Sequence, residues 1–166
     1  KQTADNGFIV TGNTQSFGAS SYDQWVLKLN ETGCMEWNIT YGGTYDDRSV
    51  SVCQTSDGGY VISGFTNSYG AGNYDYWLIK LNSSGNISWQ RTYGGISLDM
   101  AFSVSETSDH GLIVTGSSSS FGAGNEDIWA IVMGGNGGIT FNSGSYAFAG
   151  FDAGPTFYFR DGYSSD

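Results

Sequence analysis

Short apolar runs separated by clusters of Gly, Ser, Asn and Asp set the rhythm of this chain. In the stretch 49–93 they predict four strands, over 49–55, 60–66, 74–81 and 87–93. The turn between the first two is Ser56-Asp57-Gly58-Gly59, where Asp caps its own turn and Gly accepts a positive φ. Asn82-Ser83-Ser84-Gly85 plays the same part before the fourth strand, and a loop containing Tyr69-Gly70-Ala71-Gly72 joins the second to the third. Connections this short predict a meander of antiparallel strands. On the third strand, Trp77, Ile79 and Leu81 fall on one face and Tyr76 and Leu78 on the other. A strand apolar on both sides must be covered on both sides. Four-stranded sheets stacked face to face around an axis, the packing of a β-propeller, meet that demand.

The pattern recurs. Residues 7–43 and 59–95, displaced by 52 positions, are identical at 18 of 37 sites, which identifies a tandem repeat. A third copy starts at Gly111 and keeps Asp127-Ile128-Trp129, then diverges: Val132 replaces the Lys of positions 28 and 80, and Phe141 replaces Trp37 and Trp89. The expected organisation is all-β. Three four-stranded antiparallel repeats occupy 1–133, in copies of about 1–47, 48–99 and 100–133, and a divergent segment follows over 134–166. That segment has β-like runs at 145–148 and 156–159 and is expected to close the array or to dock on a neighbour through Ile139, Phe141, Tyr146, Phe148, Phe157, Tyr158 and Phe159. Gln2, Thr3, Asp5 and Gly7 match Gln54, Thr55, Asp57 and Gly59, so the first copy begins at the end of its first strand. Three copies also suit a β-trefoil, which stands as the alternative to propeller-like blades, with another sandwich or filament arrangement as a third. The smallest propellers use about four blades, so three that do not close leave faces for another chain or further residues to cover.

Composition agrees with an all-β chain rich in turns: among 166 residues there are 26 Gly, one Pro and 16% aromatics. The net charge of −10, with only six scattered Lys and Arg, argues against a nucleic-acid surface. No apolar stretch has the length of a membrane span. Cys34 and Cys53 sit at non-equivalent repeat positions and match no zinc spacing; one disulfide and two free thiols are both open. Asn30, Asn38, Asn82 and Asn86 each begin a glycosylation sequon, and all four flank the turn leading to Trp37 or Trp89.

The elements D-G-G-Y-x-x-x-G, then Y-D-x-W-x-x-K-L-N-x-x-G-x-x-x-W, then Y-G-G carry a resemblance. Over residues 2 to about 133 the chain resembles repeats of secreted and surface proteins of bacteria and archaea that are read as β-propeller blades. The resemblance implies a propeller-type fold and an extracellular or envelope setting, and it implies no particular reaction.

Residues present in every copy serve the fold before they serve function. Asp23, Asp75 and Asp127, each two residues before Trp25, Trp77 or Trp129, are read as turn acceptors beside tryptophans that fill the space between sheets. A sugar or calcium site is the competing reading. Trp37 and Trp89, each four residues after a turn Gly, are read as packing groups. Asp46-Asp47, Asp99 and Glu126-Asp127 are read as solvated loop charge, with weak calcium binding as the alternative and no other cofactor expected. The single His, His110, falls at a turn position held by Asn6 and Gly58 elsewhere, and nothing in sequence proposes a catalytic set around it.

Three functions remain in play. The first is a non-enzymatic extracellular or cell-surface structural module that self-associates into a filament, layer or adhesive assembly, with its own copies or the rest of a longer chain as partner. The second is a carbohydrate-binding or adhesion module of lectin-like type, using aromatic and acidic loop positions such as Tyr22, Tyr74 and Glu126. The third is a fragment of a larger secreted propeller enzyme.

Overall fold

A computed structural model describes residues 1–18, 21–122 and 125–134. Its ten strands are β1 (Phe8–Thr14), β2 (Asp23–Leu29), β3 (Met35–Tyr41), β4 (Asp47–Gln54), β5 (Tyr60–Thr66), β6 (Asp75–Leu81), β7 (Ile87–Tyr93), β8 (Asp99–Glu106), β9 (Leu112–Ser118) and β10 (Asp127–Met133). All pairing is antiparallel, in three sheets ordered β1-β2-β3, β4-β5-β6-β7 and β10-β9-β8. No helix occurs among the described residues, so none is long and apolar enough to cross a membrane. β5 and β7 occupy the spans that the hydrophobic pattern predicts; β4 starts two residues earlier than expected and β6 one residue later. The assembly residues Ile139, Phe141, Tyr146, Phe148, Phe157, Tyr158 and Phe159 lie outside the described residues.

Sheet pairing explains why the middle sheet has no wet face. The pairs Tyr60↔Leu81, Ile62↔Ile79 and Gly64↔Trp77 put one set of side chains toward the first sheet, where they pack with Ile9, Val26 and Tyr41. The intervening residues Val61, Tyr76 and Leu78 point the other way and pack with Leu112, Val114, Trp129 and Ile131 of the third sheet. Trp77 is 2% exposed, and Tyr76, Leu78 and Ile79 are 0% exposed, so both sides are removed from water. Each seam therefore joins the tryptophan-bearing face of one sheet to the opposite face of the sheet before it.

Hydrogen bonds fix the stacking. Ser49 of β4 donates from its N–H to Asn13 Oδ1 at 2.8 Å and from its hydroxyl to the Gly12 carbonyl at 2.7 Å, tying the middle sheet to β1. Across the second seam, the Tyr76 hydroxyl donates to the Trp129 carbonyl at 3.0 Å, and Val104 N–H donates to Ser51 Oγ at 3.3 Å. The Tyr41 hydroxyl donates to the Gly85 carbonyl, so the turn that ends one sheet's third strand sits on the outer strand of its neighbour. Each of these bonds satisfies a polar group at a seam where water is excluded.

Among the described residues the stack has two uncovered ends. On the first sheet, Phe8↔Leu29, Val10↔Leu27 and Gly12↔Trp25 repeat the middle sheet's tryptophan face, yet Phe8 and Val10 remain 36% and 37% exposed. The counterparts Tyr60 and Ile62 are 2% and 0% exposed. On the third sheet, Ile113, Ile128 and Val132 face outward and are 37%, 72% and 57% exposed. Trp77→Ala should cost about 3–5 kcal/mol, because it leaves a cavity in a closed seam. Trp25→Ala, on the open face, should cost less than half as much; urea unfolding of the two variants followed by circular dichroism checks the difference.

Candidate functional site

Carboxylates gather at one end of the sheets, at the corner where one sheet hands over to the next. Asp47 accepts the Thr66 hydroxyl, Gly43 N–H at 2.6 Å and Ser68 Oγ at 2.7 Å. Asp99 repeats the arrangement with the Ser118 hydroxyl, Gly95 N–H at 2.8 Å and Ser120 Oγ at 2.6 Å. Both are 0% exposed, which corrects their reading as solvated loop charge. They are buried because each is the acceptor that joins the Tyr-Gly-Gly corner to the loop after the next sheet's β5 or β9, and three donors offset the loss of hydration.

Asp23, Asp75 and Asp127 form a second tier. Asp75 accepts Ala71 N–H through Oδ2 at 2.5 Å, and its Oδ1 has no hydrogen-bond partner among the described residues. A side chain at Gly94 would collide with the Asp75 carboxyl and approach Asp99 Oδ2, so the corner needs Gly there for the two acids to close in. Gly42 holds the same relation to Asp23, and Gly18, Gly70 and Gly122 lie against Asp23, Asp75 and Asp127. Burial, reinforced by the Asp99 charge, pushes the Asp75 carboxyl up to about 6. The tryptophans two residues on go to different places: Trp77 and Trp129 fill seams, while Trp25 lies half-buried on the open face with its ring N–H on Asn38 Oδ1 at 3.2 Å. Phe17, Tyr69 and Phe121 lie tilted against the rings of Trp25, Trp77 and Trp129, with centroids 5.8, 5.2 and 5.1 Å apart.

At the other end of the sheets, lysines sit in the seams. Lys28 is 3% exposed and binds Asp5 and Glu36, both at 2.8 Å, and the Leu29 carbonyl at 3.0 Å. Burial works against its charge, but the two carboxylates outweigh burial and raise its pKa. Lys80 keeps the Asp57 contact at 2.8 Å, but Ser88 stands where the first copy has Glu36. Although burial acts to raise it, Lys80 and Thr55 lower the Asp57 carboxyl to about 2. Here a cleft of about 250 Å³ opens between the second and third sheets, lined in part by Lys80, Ser88, Trp89, Glu106, His110 and Leu112. Leu112 replaces the bulkier Tyr60 that meets Trp37 edge-on at 6.0 Å in the first seam. Glu106 is held by Ser56 N–H at 2.9 Å and Ser56 Oγ at 2.8 Å, and His110 Nδ1 lies 3.8 Å from it. The cleft offers an indole, a cation, acids and hydroxyls, among them the Ser56 hydroxyl that donates to Glu106. Sequence reasoning passed over Lys80, Asp57, Glu106 and Ser56; the signal was available as the exchanges of Gln54 for Glu106 and Tyr60 for Leu112 between copies.

His110 has φ 63° and Asn6 has φ 65°, at the turn position where Gly58 has φ 80°. The turn geometry accounts for His110, whose side chain is exposed. Tyr22 and Tyr74 are half-buried and already engaged: Arg48 lies 4.1 Å over the Tyr22 ring, and the Tyr74 hydroxyl donates to Asp46 at 3.2 Å. Glu126 is exposed. Asn30 and Asn82 use Oδ1 to cap their own turns, accepting the N–H groups of Thr32 and Cys34, and of Ser84 and Asn86. Asn38, Asn82 and Asn86 are exposed, and Asn30 is half-exposed. Trp37 and Trp89 are also partly buried, each packed against the cluster of one seam, and Arg91 lies 5.4 Å from the Trp89 ring. Cys34 and Cys53 are both free thiols, and burial raises the pKa of Cys53. Among the described residues no three His, Cys, Asp or Glu groups come together as a metal site.

Asp75 gives a pH test with a definite sign. Its folded pKa of about 6 exceeds the ordinary 3.8, so the carboxyl costs no stability when protonated and costs progressively more as pH rises through 4 to 6. Asp75→Asn should stabilise the protein by on the order of 1–3 kcal/mol at pH 7–8, with the gain fading toward pH 4. Thermal or urea unfolding across that range measures it. No protein-family model and no curated protein matches the chain.

Proposed function

We propose that this chain is a non-enzymatic structural module of propeller-type β-repeats, placed outside the cell or at its surface, that works by self-association. One observation carries the reading. On the first sheet's tryptophan face Phe8 and Val10 are 36% and 37% exposed and Trp25, Leu27 and Leu29 are only half-buried, whereas the same repeat positions in the middle sheet, Tyr60, Ile62, Trp77, Ile79 and Leu81, are at most 2% exposed. An exposed apolar face that is elsewhere a seam marks an interaction surface. Propeller-type packing, in preference to a trefoil, is supported by the face-to-face stacking of consecutive meanders, each built from strands that neighbour one another in sequence. The extracellular setting rests on the resemblance of the repeat and on the sequons at Asn30, Asn38, Asn82 and Asn86.

A lectin-like role is the second reading, favoured by the cleft beside Trp89. An indole faces hydroxyl and acid groups there, a pairing suited to stacking on a sugar ring.

Sedimentation velocity tests the main reading. The chain should sediment as an oligomer at micromolar concentration, and Val10→Glu should shift it toward the monomer while leaving the circular dichroism spectrum unchanged. For the second reading, glycan-array binding that disappears in Trp89→Ala is the expected outcome, and an array without signal removes it.

A further inference from the structure

The two open faces are not merely apolar; they are the two halves of a seam the molecule already makes twice. In the first seam the Tyr60–Leu81 face of the middle sheet covers Ile9 and Val26 of the first. In the second, the Leu112–Met133 face of the third sheet covers Val61, Tyr76 and Leu78. Continuing that rule, the face around Val10 and Leu27 on the first sheet calls for the outward face of a preceding sheet. The outward face of the third sheet, with the pairs Ile113↔Val132, Thr115↔Ala130 and Ser117↔Ile128, calls for the tryptophan face of a following one. These two faces belong to opposite ends of the same chain, and the face pairs named here carry no charged side chain on either side. The middles of the two faces that would meet are thus free of charge.

We infer that the occupant of each open face is a second copy of this chain, docked head to tail, and that two copies close into one ring of six sheets. The inference rests on the propeller-type reading above. The contact is heterologous: the Trp25 face of one copy meets the Ile128 face of the other, not its own equivalent. Heterologous contacts end in a ring when the rotation closes and in a filament when it does not. The described residues of each chain contribute three sheets to the stack. Closed propellers use roughly four to eight blades, and of the multiples of three only six falls in that range. One copy is too few and three are too many, so the ring is a dimer with two inter-chain seams. Asn38, beside Trp25 on the open face, then lies at the inter-chain seam.

The test uses the full chain and two variants, each altered at the centre of one face. Val10→Glu blocks the tryptophan face, at the counterpart of Ile62. Ala130→Glu blocks the outward face of the third sheet, at the counterpart of Leu78. Circular dichroism melts establish that each variant folds; if either does not, Leu27→Glu and Ile128→Glu replace them at neighbouring positions on the same faces. Native mass spectrometry of the wild type should give a dimer and no longer series. Each variant alone should be monomeric. An equal mixture should recover a one-to-one heterodimer through its one intact seam, weaker than the wild-type ring by on the order of 10²–10⁴-fold because the second, intramolecular contact is lost. Added salt should tighten the wild-type dimer by screening its like charge. A variant that still dimerises alone while the other does not would mean a face-to-same-face contact, and an open series of oligomers would mean a filament. Either overturns the head-to-tail ring but leaves self-association standing. A wild-type chain that stays monomeric, whether through cover by residues 135–166 or otherwise, overturns both.

Discussion

The constraint on which the rest depends is that the middle sheet has no face it can show to water. Val61, Tyr76 and Leu78 on one side, and Ile62, Trp77 and Ile79 on the other, leave β5 and β6 stable only between two other sheets. A single four-stranded meander of this composition would expose both sets of side chains, and burial of aromatic and branched residues is the main favourable term available to it. Repetition is therefore a physical requirement of the sequence. Every copy is made to be covered, and any finite number of copies in an open stack leaves a face uncovered at each end.

The buried acids show how a chain with so few cations handles negative charge indoors. Asp47 and Asp99 are surrounded by hydroxyl and backbone donors, and Lys28 is ringed by two acids and a carbonyl. Polar groups thus sit at the two ends of each seam, and hydrocarbon fills the middle. Sets of hydrogen bonds that close only in one registration oppose sliding between sheets that apolar contacts alone would permit. The glycines of the Tyr-Gly-Gly corner belong to the same device: Gly42 and Gly94 admit an acid at the Cα, and Gly43 and Gly95 donate their N–H groups to Asp47 and Asp99.

Local period and turn chemistry were enough to locate β5 and β7, to place Trp77 opposite Tyr76 across the sheet, and to assign His110 to a left-handed turn, because each depends on neighbours in sequence. What stayed hidden depends on partners far along the chain. Nothing near Asp99 in sequence reveals that Ser118 and Ser120 will surround it, so a buried acceptor looked like loop charge. Trp25 looked equivalent to Trp77, and its different fate is set by the absence of a sheet beyond it among the described residues, which no local pattern encodes. The cleft beside Lys80 arises from substitutions on three strands that meet only in space: Ser88, Glu106 and Leu112.

Asn38 stands on the open tryptophan face, its side-chain oxygen on the Trp25 ring N–H and its neighbour across the sheet Leu27. The acceptor nitrogen of a sequon and an apolar contact surface thus lie side by side on the outer strand β3. A carbohydrate there would make that surface wet, branched and bulky, and a second sheet could no longer lie flat on it. Were Asn38 modified, the stacking proposed for this face would be blocked, so the two would exclude one another at this position.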